Sequence, residues 1–236
     1  MCLIYHRDTT NDTPIDFDSL ESAMESNPDG TGLAWHTEED GWSNWTSTEA
    51  EWEEVQGYLE WMDENATRIV LHFRYATHGG CGEHNCHPFE VGEQALLFHN
   101  GMLDGVYEED DMSDTAQLAQ HMSVAVESGA SLKSVFNLAK LLVDSNRLLM
   151  TLPSGKVLAS GKWTKRKDGA YSNTYCLTPK PAFTPATSFK PYYQEAKTYE
   201  PKRYLPTAYQ PTYREDENYA DTYCKNENGS YTWKKS

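Results

Sequence analysis

The chain has 236 residues, a formal net charge of −16, an apolar share of 38% and five cysteines. The charge is uneven: residues 1–175 carry 11 Lys+Arg against 29 Asp+Glu, a balance of −18, and residues 176–236 carry 9 against 7, a balance of +2. An acidic body disfavours sequence-independent binding to nucleic acid, which rests on neutralising phosphates, and equally disfavours an anionic membrane surface.

No stretch approaches the ~18 apolar residues of a membrane span. The N-terminus, MCLIYHRDTTND, lacks the basic region and long apolar core of a signal peptide. An odd cysteine count without disulfide-framework spacing points to free thiols in a reducing cytoplasm.

Residues 2–5, Cys-Leu-Ile-Tyr, read as a short buried strand. From Asp16 to Ser26, Phe17, Leu20 and Met24 share one helical face, with Asp16 as a cap. Asn27-Pro28-Asp29-Gly30 is a turn. Thr31–His36 and Trp42–Trp45 read as strands joined by the turn Glu38-Glu39-Asp40-Gly41. Thr48-Glu49-Ala50-Glu51 has the spacing of a capping box, ahead of a helix with Trp52, Val55, Leu59 and Met62 on one stripe. These tryptophans, with Trp35, Trp42, Trp45 and Trp61, are expected to pack the core.

The central stretch, residues 68–101, supplies two more strands, Ile69–Phe73 and Ala95–Phe98. Asp114-Thr115-Ala116-Gln117 has capping spacing ahead of a helix with Leu118, Met122 and Val126 inward. A further helix after Ser131 turns Leu132, Val135, Phe136, Ala139 and Leu142 inward. Arg147–Leu152, Val157–Ser160 and Ala170–Cys176 read as late strands. This order suggests sheets packed on each other with helices outside, not a doubly wound fold. Residues 1–177 would form that body. Residues 178–236, rich in Pro and Tyr and poor in aliphatics, read as an extended or disordered tail, since they bury too little to offset their ordering entropy.

The chemistry concentrates where the two central strands stop. Arg74 ends one, and His99-Asn100-Gly101 ends the other. Polar residues delivered from strand ends commonly build active sites. Cys2 becomes the first residue if Met1 is removed. Its thiol (pKa about 8.5) is then a nucleophile, and its own α-amine (pKa about 7.7–8) can act as base. Attack on a carbonyl needs oxyanion donors, for which Asn100 and the Gly101 N–H are candidates. Arg74 could clamp a carboxylate and Asp114 an ammonium. Together they describe attack on the side-chain amide of a free amino acid, with glutamine the natural candidate. Each residue also has a plainer reading. Cys2 alone is a small buried strand residue, Arg74 alone a structural ion pair, and Asp114 alone a helix cap.

The set resembles the class II glutamine amidotransferase domain, an N-terminal nucleophile (Ntn) hydrolase. The matching pieces are Met1-Cys2, Asp29-Gly30-Thr31-Gly32, Arg74-Tyr75-Ala76-Thr77-His78-Gly79, Asn85-Cys86-His87-Pro88-Phe89, Phe98-His99-Asn100-Gly101 and Ser113-Asp114-Thr115. They stand in the family's order, and the Asn-x-His-Pro-Phe piece is most like the small stand-alone members. The resemblance implies an α+β fold, a four-layer αββα sandwich. It implies a catalytic set of Cys2, Asn100 and Gly101, and substrate binding by Arg74, Thr77, His78 and Asp114. Cys2 would attack the glutamine amide, giving glutamate and ammonia through a γ-glutamyl thioester, with a separate synthase as ammonia acceptor.

An amidase acting on another γ-glutamyl compound is the alternative, and a catalytically idle partner-binding protein is a third reading. No cofactor is called for. Three departures stand out: the stretch from Gly101 to Asp114 is short, Cys81 and Cys86 are not called for, and no synthase portion follows. His78, Cys81, His84, Cys86 and His87 are metal-ligand types, but Cys-x4-Cys is not a standard zinc spacing, and no metal is expected.

Overall fold

A computed structural model describes residues 2–77, 79–103, 111–143 and 145–177, and the backbone of 221–225 and 231–235. In chain order the body's strands are β1 (Leu3–Asp8), β2 (Thr31–Thr37), β3 (Gly41–Ser47), β4 (Arg68–Phe73), β5 (Phe89–Val91), β6 (Ala95–Asn100), β7 (Arg147–Thr151), β8 (Val157–Ser160), β9 (Thr164–Lys165) and β10 (Ala170–Tyr171). The helices are α1 (Phe17–Ser26), α2 (Trp52–Asn65), α3 (Asp114–Glu127) and α4 (Leu132–Val143). One sheet runs β3-β2-β4-β1-β10-β9 and the other β5-β6-β7-β8. Their pairings are antiparallel.

Successive side chains on a strand point to opposite faces, and that alternation builds three layers of core. Leu3 and Tyr5 of β1, with Ile69, Leu71 and Phe73 of β4, pack on Leu20 of α1 and on Val55, Leu59 and Met62 of α2. Leu97 of β6, with Leu148 and Met150 of β7, packs on Leu118 and Met122 of α3 and on Val135 and Phe136 of α4. The residues between them in sequence, Ile4, Ala34 and Val70 on one sheet and Leu96, Phe98 and Leu149 on the other, meet in the middle. The result is helix, sheet, sheet, helix: the four-layer α+β sandwich. Strands buried on both faces read as unbroken apolar runs, which is why β4 and β6 stand out in the sequence.

Several local expectations are corrected. The capping box at Thr48 does not form. Helix α2 starts at Trp52, with Glu51 before it making no side-chain cap bond. Strand β3 runs to Ser47, and the Ser47 hydroxyl accepts from the Glu49 N–H, so this segment is used to leave the sheet. Ser113, not Asp114, caps α3, accepting from the Ala116 N–H at 3.2 Å. Leu142 faces outward at 60% exposure, because α4 carries leucines on both sides and its periodicity is ambiguous. The expected strand 170–176 stops at Tyr171, and the chain turns after it. Strands β5 and β9 were not anticipated. Of the segment expected to be a tail, 178–220 lies outside the described residues, while β11 (Asp221–Lys225) and β12 (Tyr231–Lys235) pair antiparallel.

Phe98 is fully buried between the sheets. Phe98→Ala is expected to cost about 3–5 kcal/mol of stability in urea unfolding. A loss below about 1 kcal/mol would mean that the two sheets do not depend on this layer.

Candidate active site

The alternation that fills the inter-sheet layer also aims the site. Cys2 precedes Leu3, whose register partner is Phe73, so Cys2 lies opposite Arg74 where β1 and β4 end. Cys2 shares parity with Ile4, Arg74 with Val70 and His72, and Asn100 with Leu96 and Phe98. All three side chains therefore belong to the inter-sheet side, each at a strand end. No one segment of sequence shows this, because it depends on the pairing of β1 with β4 and on the packing of two sheets.

Cys2 is a half-buried free thiol. Its Sγ accepts from the Tyr75 N–H at 3.3 Å and lies 3.5 Å from the Tyr75 carbonyl. Burial pushes the thiol's pKa up, and this outweighs the lowering by the Tyr75 backbone and the Arg74 charge. The carbonyl of Cys2 accepts two amide hydrogen bonds, from Asn100 Nδ2 at 2.6 Å and from Asn173 Nδ2 at 2.5 Å. Asn100 Nδ2 also donates to Ser172 Oγ at 2.8 Å. An amide nitrogen carries two protons, so both protons of Asn100 are engaged here. One of these bonds must open before Asn100 can donate to an oxyanion.

Arg74 is buried at 3% exposure. Its backbone is laced to the turn before β2: Arg74 N–H donates to Gly30 O at 2.7 Å, and Asp29 N–H donates to Arg74 O at 3.0 Å. The Asp29 carboxylate accepts from the Ala76 N–H at 2.8 Å. The glycines of this turn are required by close approach. A Cβ on Gly30 (φ +150°) would stand 2.4 Å from Cys86 Sγ, and one on Gly32 would stand 1.5 Å from the His87 carbonyl oxygen. Gly101 (φ +156°) lies against Asn146, whose Cγ a Cβ there would meet at 2.1 Å. Asn146 Nδ2 in turn donates to Met102 O at 2.6 Å.

The other candidates divide. The Asp114 carboxylate accepts from the Leu103 N–H at 2.8 Å and from the Thr115 N–H at 2.6 Å, so it ties the bend after Gly101 to the first turn of α3. Thr77 is exposed, two residues beyond Tyr75, and His78 lies outside the described residues. Asn85 is fully buried and joins the 79–86 loop to α3, accepting from the Ser113 N–H at 2.7 Å and donating to Asp111 O at 2.7 Å. Cys86 packs under Gly30, where burial raises its thiol pKa to about 11. Among the described residues, no three His, Cys, Asp or Glu side chains converge to hold a metal ion.

Sequence reasoning missed Ser172 and Asn173. The signal that marks Asn100, polar residues where an apolar strand stops, is also present in Ala170-Tyr171-Ser172-Asn173. Reading 170–176 as one strand conceals that stop.

Behind the site lie three buried histidines. His72 and His87 stack with ring centroids 4.0 Å apart. His72 Nε2 lies 3.3 Å from the His99 carbonyl, and His99 Nδ1 is 2.9 Å from Thr115 Oγ1. Burial lowers the pKa of His72 to about 3, that of His99 to about 4 and that of His87 well below the ordinary value. All three are neutral near pH 7, and the Arg74 charge, which lowers His72 and His87 further, lies beside them.

Residues 2–117 match the family described as class II glutamine amidotransferases. No curated protein is similar enough to the chain to count as a match. Among solved structures, one similar chain is the glutamine phosphoribosylpyrophosphate amidotransferase of B. subtilis, complexed with ADP and GMP. It is 16% identical, with a TM-score of 0.47 over 72% of this chain and 41% of that one. Another is a glutamine aminotransferase class-II domain protein from Silicibacter pomeroyi, 13% identical, with a TM-score of 0.41 over 72% of this chain and 87% of that one. A third, titled as the allosteric regulatory enzyme of purine biosynthesis, is 17% identical, with a TM-score of 0.41 over 65% of this chain and 36% of that one. The chain thus spans well under half the length of the first and third.

The neutral histidines make stability depend on pH. Their folded pKa values lie below the ordinary value near 6.5, so the unfolded chain binds protons first as pH falls. Their contribution is complete above about pH 6.5 and declines toward pH 4, by up to about 1.4 kcal/mol per pH unit for each histidine. Urea unfolding should show lower stability at about pH 5 than at about pH 7.5, where most carboxylates are ionised at both values. Equal midpoints at the two values would contradict the buried neutral cluster.

Proposed function

Through residues 2–117 the chain belongs to the class II glutamine amidotransferases, and from that premise we propose that residues 1–177 hydrolyse the side-chain amide of glutamine with Cys2 as nucleophile. The observation that carries the reading is the convergence on Cys2. Its sulfur lies on the backbone beside buried Arg74, and its carbonyl is held by Asn100 from the opposite sheet.

Removal of Met1 frees the α-amine of Cys2. The thiol is held protonated by burial, so no resident thiolate is needed. The amine takes the thiol proton as sulfur attacks the δ-carbonyl, and later protonates the leaving ammonia. The bond formed is sulfur to carbon, the bond broken is carbon to nitrogen, and water then cleaves the γ-glutamyl thioester to glutamate. Gly101 N–H and the Asn100 amide receive the oxyanion once Asn100 releases the Cys2 carbonyl.

Arg74 binds the α-carboxylate in a layer where its neighbours His72, His87 and His99 are neutral and do not compete for the anion. Asp114, with its oxygens engaged by Leu103 and Thr115, acts on the α-ammonium through a remaining lone pair. By the family resemblance Thr77 contributes to substrate binding, as does His78, which lies outside the described residues. The ammonia passes to a separate acceptor enzyme in the cytoplasm.

Cys2→Ala should abolish glutamate and ammonia release while leaving the unfolding midpoint nearly unchanged. Activity persisting in that variant would exclude Cys2 as nucleophile. Arg74→Ala should chiefly weaken glutamine binding, by about 2–5 kcal/mol in kcat/KM. Unchanged kcat/KM would remove Arg74 from the substrate site.

A further inference from the structure

The carbonyl of Cys2 is held twice, by amides from different parts of the chain. Asn100 reaches it from the end of β6 and Asn173 from just beyond β10, at 2.6 and 2.5 Å. Asn173 is outside the residues that match the family, 2–117, and is 5% exposed. Its orientation is fixed from behind: Cys176 Sγ lies 3.4 Å from Asn173 Oδ1, which directs the NH2 group toward Cys2. Ser172 secures the same place. It takes the Ile4 N–H on Oγ at 2.8 Å and gives its own N–H to Ile4 O at 2.8 Å, so β1 stays paired almost to its first residue.

Two donors on one carbonyl are more than a resting structure requires, since either satisfies that acceptor. They become necessary if one of them leaves. Under the proposed reaction Asn100 must free an amide proton for the oxyanion. Cys2, as the chain's first residue after Met1 removal, would then lose its tie to the second sheet, and terminal residues that are not tied down lose order.

We infer that Asn173 is a positioning residue: it keeps the Cys2 carbonyl, and with it the thiol and amine, in place while the Asn100 amide turns to the oxyanion. The inference rests on the glutaminase reading above and deepens it. Asn100 is the amide that serves the reacting atoms, and Asn173 acts through Cys2 alone. Without Asn173, Asn100 is confined to the carbonyl or the nucleophile drifts. Substrate binding at Arg74 is unaffected in either case.

The test is steady-state glutamine hydrolysis by Asn173→Ala and Asn173→Asp in the full chain with Met1 removed, confirmed by intact mass. Asn173→Asp keeps the size and the oxygen facing Cys176 and replaces the donating amide with an ionised carboxylate oxygen that repels the Cys2 carbonyl, so it serves if the alanine variant fails to fold. The expected result is a fall in kcat of roughly tenfold to a hundredfold, as for a misplaced nucleophile, with KM within about twofold. A wild type that turns over while both variants keep its kcat would overturn the inference alone. A fall confined to KM would also overturn it, by placing Asn173 in substrate binding. A wild type that releases no glutamate would remove the reading and the inference together.

Discussion

One hydrogen bond between the sheets sets the geometry of the candidate site: Asn100 Nδ2 to the carbonyl of Cys2, at 2.6 Å. It ties the end of β6 in one sheet to the start of β1 in the other. Its formation needs the inter-sheet layer of Ile4, Ala34, Val70, Leu96, Phe98 and Leu149 to set the spacing. It also needs the register of β1 on β4, Leu3 opposite Phe73, to bring Cys2 level with Arg74. A slip of one residue in that register would turn Cys2 and Ile4 to the α1–α2 side and leave Arg74 facing another residue. The identity of the first few residues is therefore constrained by packing as much as by chemistry.

The parts of the fold that were legible in sequence follow from burial. Strands β1, β4, β6 and β7 are covered on both faces, and their apolar runs give them away. The stripe Val55, Leu59, Met62 of α2 is buried as its spacing requires. What was not legible depends on partners distant in sequence. The two-residue strand β9 exists because β10, itself paired to β1, offers an edge to pair with. The outward face of α4 carries leucines too, with Leu138, Leu141 and Leu142 exposed beside an inward face of Val135, Phe136, Ala139 and Val143, which is how periodicity alone places Leu142 on the wrong side.

The candidate site divides along the same line. Cys2, Arg74 and Asn100 could be picked out because each is a polar residue at the end of an apolar run. Ser172 and Asn173 follow the same rule, but the next turn, through Cys176, continues the apolar look of the strand and conceals its end. Asp114 was legible as a residue of the α3 terminus, though Ser113 makes the cap and Asp114 reaches back to Leu103. Gly30 was visible as the end of a turn, and Gly32 as part of the Asp29-Gly30-Thr31-Gly32 piece. Their reason, contact with Cys86 and the His87 carbonyl, required the loop from another part of the chain.

The histidines behind the site are held neutral by burial, and Arg74 is a buried cation beside them in a strongly acidic chain. Under the proposed function a free amino acid presents its carboxylate to that guanidinium and, a side chain's length away, its amide to the sulfur. The most direct measurement is to incubate the protein with a diazoketone analogue of glutamine and locate the adduct by peptide mass spectrometry. The account predicts a single adduct on Cys2 at a chain terminus lacking Met1. An adduct on Cys81, Cys86, Cys176 or Cys224, or none on a chain whose Met1 has been removed, would contradict it.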